Sequence, residues 1–161
     1  MQAATHSGSA KVTLPSDTEI LITREFNAPK HLVYKAWTTP ELVEKYWAGR
    51  RGRMISVEID LRVGGKWRYV MEGGGSEIAF NGEFREIVEN ERLVNTEVYE
   101  AMPDSGVLNI VTFTEQDGRT MLHLLTQCPD RTIRDGIIES GMEGGMQEQM
   151  DLLEELARSM A

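Results

Sequence analysis

The side chains able to move protons, hold metals or attack electrophiles are thinly spread through these 161 residues. The three histidines, His6, His31 and His123, stand far apart, one near the start, one in a helical stretch and one in a late strand. Within 119–127, Leu122 and Leu124 share a face, so strand alternation puts His123 on the other, outer side. The sequence carries no HExxH, no CxxC, no Gly-Lys-Ser phosphate loop and no G-x-S-x-G elbow. No metal or cofactor is therefore expected, and no residue is assigned a catalytic role. Cys128 is the only cysteine. It ends an apolar run before Pro129, a setting for a buried, inert thiol, and it permits no intrachain disulfide.

One carboxylate stands out. In Leu93-Val94-Asn95-Thr96-Glu97-Val98-Tyr99 both alternating faces are mixed. If Asn95, Glu97 and Tyr99 point inward, Glu97 is a polar group among apolar ones, with its pKa raised by burial. Such a group suits proton transfer or the anchoring of a ligand. If Val94, Thr96 and Val98 point inward, Glu97 is a solvated surface residue. Local pattern leaves both orientations open.

The aromatic residues are better placed by their spacing. Trp67, Tyr69, Phe80, Phe84 and Phe113 fall on one predicted inner face of neighbouring strands, and Trp47 comes from a short helical region. Plain core packing accounts for such a set. The last helix adds Met142, Met146 and Met150, unbranched side chains that adapt to variable shapes. It also spends Gly136, Gly141, Gly144 and Gly145, which together cost about 3 kcal/mol against alanine in helix interiors. A tertiary reason must offset that cost: close approach to a sheet, or a loosened helix that lets a ligand past. The expected site is a cavity lined by Trp47, Trp67, Tyr69, Phe80, Phe84, Glu97, Tyr99, Phe113, Met142, Met146 and Met150.

These residues need elements to hold them. Residues 1–16 are small and polar without periodicity and read as a disordered leader, leaving 17–161 as a single domain. A chain of this length fills one core rather than two. Glu19 to Phe26 reads as a first strand. Pro29 opens a helix carrying Leu32, Val33, Ala36 and Trp37, and Thr39-Pro40 starts a second, short one. From about residue 53 the period becomes two, with Ile55, Val57, Ile59 and Leu61 on one face of a strand. Trp67, Tyr69 and Met71 alternate on the next. After the Gly73-Gly74-Gly75-Ser76 turn, Ile78, Phe80, Gly82, Phe84 and Val88 share a face of a long strand. Asn81-Gly82 resembles a hairpin turn but follows the previous turn too closely, so it reads as a bulge. Strands at 93–99, 107–115 and 119–127, with a tight Asp117-Gly118 turn, complete a six-strand antiparallel meander. From Thr132, paired with Asp135 as an approximate cap, the period becomes helical to about Ser159, a helix roughly 40 Å long.

That order of elements resembles the START-like (SRPBCC) helix-grip superfamily, an α+β fold shared with birch-pollen-allergen-like proteins. Within it the chain resembles the AHSA-type family, named for the activator of the heat-shock-protein-90 ATPase. The stretches that carry the likeness are Arg24 to Pro29 with Val33 to Glu41 and Trp47, Asp60 to Arg68, Gly82 to Ile87 with Arg92-Leu93-Val94, and Gly141 to Met146 with Leu153 and Leu156. The resemblance implies a curved sheet around a long C-terminal helix, with a cavity between them. It implies no shared chemistry, since such folds serve ligand binders, cyclase-like enzymes and chaperone-associated domains.

Charge narrows the classes of partner. With 26 acidic against 17 basic residues the net charge is −9. A polyanion such as nucleic acid is not an expected partner. The short basic run Arg50-Arg51-Gly52-Arg53 reads as a solvated turn. No apolar stretch is long enough to span a membrane and no secretory signal is visible, so a cytoplasmic location is expected. The leading expectation is a binder of a small apolar or aromatic molecule. A cyclase- or dehydratase-like enzyme using Glu97 with Tyr69 or Tyr99 is the alternative. A chaperone- or regulator-docking domain is a third reading, and a homodimer is compatible with exposed strand edges.

Overall fold

The structure is a computed structural model and describes residues 10–49 and 52–161. Eight strands form one antiparallel sheet in the order β1-β2-β8-β7-β6-β5-β4-β3. They are β1 (Lys11–Thr13), β2 (Glu19–Phe26), β3 (Gly52–Ile59), β4 (Lys66–Gly73), β5 (Ser76–Val88), β6 (Arg92–Tyr99), β7 (Val107–Gln116) and β8 (Arg119–Gln127). Between β2 and β3 lie α1 (Lys30–Thr38) and α2 (Pro40–Val43); after β8 come α3 (Arg131–Glu139) and α4 (Met142–Ser159). The meander β3 to β8 runs in sequence order, and β2 closes onto β8 through a register that pairs Ile22 with Leu124 and Phe26 with Thr120. The architecture is the expected α+β helix grip. No helix among the described residues is long and apolar enough to cross a membrane.

Turn chemistry sets the meander. Gly74 and Gly75 have φ of 61° and 82°, and Asp117 and Gly118 have φ of 55° and 77°, so both hairpins turn through two positive-φ positions. That geometry matches the twist of the strands it joins, and Asp-Gly and Gly-Gly supply it at low steric cost. Asn81-Gly82 is not a turn. It lies within β5 and is not the expected bulge either: the pairing to β6 keeps one register from Asn81↔Val98 to Phe84↔Asn95, and the shift falls beyond it, between Phe84 and Glu86. Gly82 is required by close approach: a Cβ there would lie 1.8 Å from the Thr96 carbonyl oxygen and 2.5 Å from the Trp67 indole nitrogen.

Four further expectations are corrected. The leader 1–16 lies outside the described residues over 1–9, but Lys11–Thr13 form edge strand β1, with Val12 opposite Ile22. The Gln147 side chain holds its start, donating to the Ala10 carbonyl at 2.8 Å and accepting from the Ala10 N–H at 3.1 Å. Such long-range pairing leaves no periodic signal in three residues. The single long helix is two helices, divided at Gly141, whose φ of 81° ends the first in left-handed conformation. Its cap is Asp130, which accepts from the Ile133 N–H at 2.8 Å, rather than the Thr132–Asp135 pair. Finally, Ile55, Leu61 and Val88 are 43%, 39% and 45% exposed. A bulge between Met54 and Ser56 and the shift in β5 each reverse the facing of the residues beyond them, and Leu61 lies past the end of β3. Of the basic run, Arg50 and Arg51 lie outside the described residues, and Arg53 pairs with Glu72 at the surface.

The interior has two unlike ends. At one, α1 and α4 pack on the sheet, and Phe26, Val33, Ala36, Phe113, Leu122, Leu153 and Ala157 are buried completely or nearly so. Arg24 occupies an inner position of β2 between Ile22 and Phe26. Its guanidinium reaches Asp151 at 2.8 Å and Glu154 at 2.9 Å on α4 and lies 4.9 Å from the Phe26 ring centre. Glu154 also accepts from the Asn27 N–H at 2.7 Å. These contacts lock the last helix against the first strand of the core. The other end is hollow.

Candidate functional site

The hollow end is a chamber of about 890 Å³ between the concave face of the sheet, the end of α1, the turn that follows α2, α3 and the first part of α4. Volumes of roughly 300–1,000 Å³ are usual for small-molecule sites. Its wall is mostly apolar. Lining residues that also reach the outer surface, Met102, Thr132, Gly136 and Ser140, lie on the β6–β7 connection and along α3, which places the mouth there.

Ten of the eleven residues singled out from the sequence line this chamber: Trp47, Trp67, Tyr69, Phe80, Phe84, Glu97, Tyr99, Met142, Met146 and Met150. Phe113 does not. It shares an inner face with Asn109 and Val111, but α1 covers it, with the Tyr34 ring centre at 5.5 Å and that of Trp37 at 6.1 Å. Strand alternation gives the face and not which helix lies above it.

The aromatic residues form a connected wall. Tyr69 and Phe80 are cross-strand partners, as are Phe80 and Tyr99, so three rings form a row across β4, β5 and β6. Ring centres are separated by 4.7 Å for Trp67–Tyr69, 5.1 Å for Trp47–Tyr69, 5.2 Å for Trp47–Phe80 and 5.3 Å for Phe80–Tyr99. Trp67 donates its indole N–H to the Thr96 carbonyl at 3.1 Å, and the Gln149 amide of α4 donates to the Trp47 carbonyl. The first bond fixes the Trp67 ring, and the second ties the Trp47 backbone to α4.

A polar ladder crosses the opposite strands. Thr126 on β8 donates to the Asn109 side-chain oxygen at 2.7 Å, and the Asn109 amide donates to Glu97 Oε1 at 2.7 Å. Of the two orientations open for β6, the structure takes the one with Asn95, Glu97 and Tyr99 facing the chamber. Burial raises the Glu97 pKa, and the Asn109 hydrogen bond offsets part of the rise. Burial, and then the nearby Glu97 carboxyl, push the Tyr69 phenol up; burial and Tyr69 do the same to Tyr46. Both phenols remain hydrogen-bond donors through the neutral range. Among the described lining residues there is no lysine, arginine or histidine, and Glu97 is the sole carboxylate.

Tyr46, Asn109 and Thr126 were not singled out by sequence. Asn109 and Thr126 had a signal, being polar residues among apolar ones on inner faces, Asn109 between Val107 and Val111, Thr126 next to Leu122 and Leu124. His31 is exposed on α1, and His123 lies cross-strand from Thr23 and Thr112, away from the chamber. Burial pushes the Cys128 thiol pKa up, and the residue lies outside the chamber, its backbone N–H donating to the Thr18 carbonyl at 2.8 Å.

Comparison with known proteins agrees with this architecture. Residues 27–158 match the family described as activator of Hsp90 ATPase homolog 1-like protein. A search of curated proteins finds no match. Among solved structures, a protein of Rhodobacter sphaeroides is similar with a TM-score of 0.86 at 22% identity, over 93% of this chain and 99% of that one. A Mycobacterium smegmatis protein gives 0.83 at 24% identity over 92% and 96%. One from Nitrosomonas europaea gives 0.82 at 23% identity over 91% and 98%. At these identities the likeness is one of fold.

Proposed function

The chain belongs to the family of activator of Hsp90 ATPase homolog 1-like proteins, and from that membership we propose that it binds a small hydrophobic or aromatic molecule inside the chamber. The observation that carries this reading is the chamber itself: about 890 Å³ of mostly apolar space with a wall of connected aromatic rings. A domain that needed only stability would fill such a space, because unfilled volume forfeits packing energy. The helix glycines point the same way. A Cβ built at Gly136 or Gly145 meets nothing within 4 Å, and both glycines line the chamber, so close approach of the helix to the sheet is not what they serve.

Native mass spectrometry of freshly purified protein, beside the denatured sample, tests the reading. A reproducible excess mass that is lost on denaturation is the expected result. Protein of apo mass that also fails to bind the neutral dye N-phenylnaphthylamine would sink it.

A second reading has one observation in its favour. Glu97 faces the chamber with a raised pKa beside Tyr69, as an acid–base group in a cyclase- or dehydratase-like enzyme would. It requires that a bound molecule be recovered chemically changed, and that Glu97→Gln stop the change while leaving binding intact.

A further inference from the structure

The lining of the chamber specifies the charge of what enters it. An apolar site takes its selectivity from a few polar groups, and here they are unevenly signed. The ladder Thr126–Asn109–Glu97 ends in a carboxyl that accepts one hydrogen bond from protein, through Oε1. A carboxylate has room for about four donors. Among the described lining residues no cationic side chain stands ready to supply one. A buried charge without a counter-charge is costly, and the cost is relieved when a cation arrives.

The neighbouring wall is of the kind that accepts a cation. Tyr99 follows Glu97 by two residues on the same face of β6, and Tyr69, Phe80, Trp47 and Trp67 continue the ring cluster from it. Aromatic faces carry negative potential and attract ammonium groups, more strongly where water is excluded. The molecule as a whole, at net charge −9, draws cations and repels anions. An amphiphile with a carboxylate head would meet Glu97 with nothing to neutralise either group.

Resting on the reading of the chamber as a ligand site, we propose that it selects molecules carrying a protonated amine on an apolar or aromatic body, with the ammonium paired to Glu97 and the body against the aromatic wall. The Asn109 amide holds the carboxylate in place for that pairing, and Thr126 in turn fixes which way the Asn109 amide faces.

The test uses three probes of matched body and different head: phenylbutylamine, phenylbutanol and phenylbutanoate. Each is titrated calorimetrically at neutral pH into the wild-type protein and into Glu97→Gln. The amine is expected to bind about tenfold or more tighter than the alcohol, as a charge-assisted pair requires, and the acid weakest. Glu97→Gln is expected to bring the amine to the affinity of the alcohol and to leave the alcohol nearly unchanged. Unchanged N-phenylnaphthylamine binding shows that the variant chamber is intact. The proposal is overturned if the acid binds as well as the amine, or if the variant keeps the amine preference. If the dye enters but amine and alcohol bind equally, or neither binds, the charge selectivity is wrong while the ligand site stands. If no probe and no dye binds, both readings fall.

Discussion

Glu97 and Glu100 stand three residues apart on the sequence and illustrate opposite uses of a carboxyl. Glu100, at the surface, accepts from Arg68 at 2.8 and 2.9 Å and from Asn81 at 2.8 Å, and these donors, Arg68 first, lower its pKa to about 2. Its stabilising effect is present above the ordinary carboxylate range and lost as pH falls towards about 2. Glu97 has the reverse sign, because burial disfavours its charged form. Folding is then most favoured while Glu97 is protonated in both states. It weakens as pH rises from the ordinary carboxylate range through the raised folded value. Glu97→Gln keeps an oxygen for the Asn109 amide and removes the charge. The variant should match wild type in acid and become progressively more stable than it towards neutral pH, in denaturant unfolding followed across that range. A difference independent of pH would show that the carboxyl is not desolvated. The orientation of Glu97 was not legible in the sequence, since both faces of β6 are mixed and its partner is Asn109 on β7, itself held by Thr126 on β8.

At the scale of elements, the meander was legible because alternation and positive-φ turn residues are local signals. The helices were legible only in part. The methionine and leucine stripe from Met142 to Leu156 marks α4 correctly, but a stripe does not show that the chain breaks at Gly141. Glycine signals a helix end and an open helix face alike, and only the structure separates Gly141, which turns the chain, from Gly136 and Gly145, which lie within α3 and α4. That separation has a consequence. Alanine at both 136 and 145 has space for its methyl groups and removes two helix-propensity penalties, so Gly136→Ala with Gly145→Ala should stabilise the fold by about 2 kcal/mol. Both positions line the chamber, and N-phenylnaphthylamine should bind more weakly to the more stable protein. Stabilisation without loss of binding would mean that these glycines do not serve the space; destabilisation would mean that the helices need their flexibility.

The molecule as a whole pairs a filled end with an empty one, and the two should respond differently to a ligand. The filled end is held by α1 over Phe113 and by the Arg24 contacts to Asp151 and Glu154. At the hollow end, α3 lies at the mouth between its Asp130 cap and the Gly141 break, and Arg134 ties it to the Ser16 carbonyl at 2.7 Å. An element with an exposed glycine at mid-length, set along a hollow, opens locally at lower cost than the core beside it. At short exchange times the backbone amides around Phe113 should be protected with or without ligand, whereas those of α3 should exchange through local opening. Saturation with N-phenylnaphthylamine should therefore slow hydrogen exchange in α3 and in the connection from Met102 to Gly106, and leave α1 and the middle of β7 as they were. Slowing at the α1 end alone would place the dye outside the chamber. No change in α3 under saturating dye would show that this helix is a fixed wall, and entry would then fall to the β6–β7 connection on the other side of the mouth.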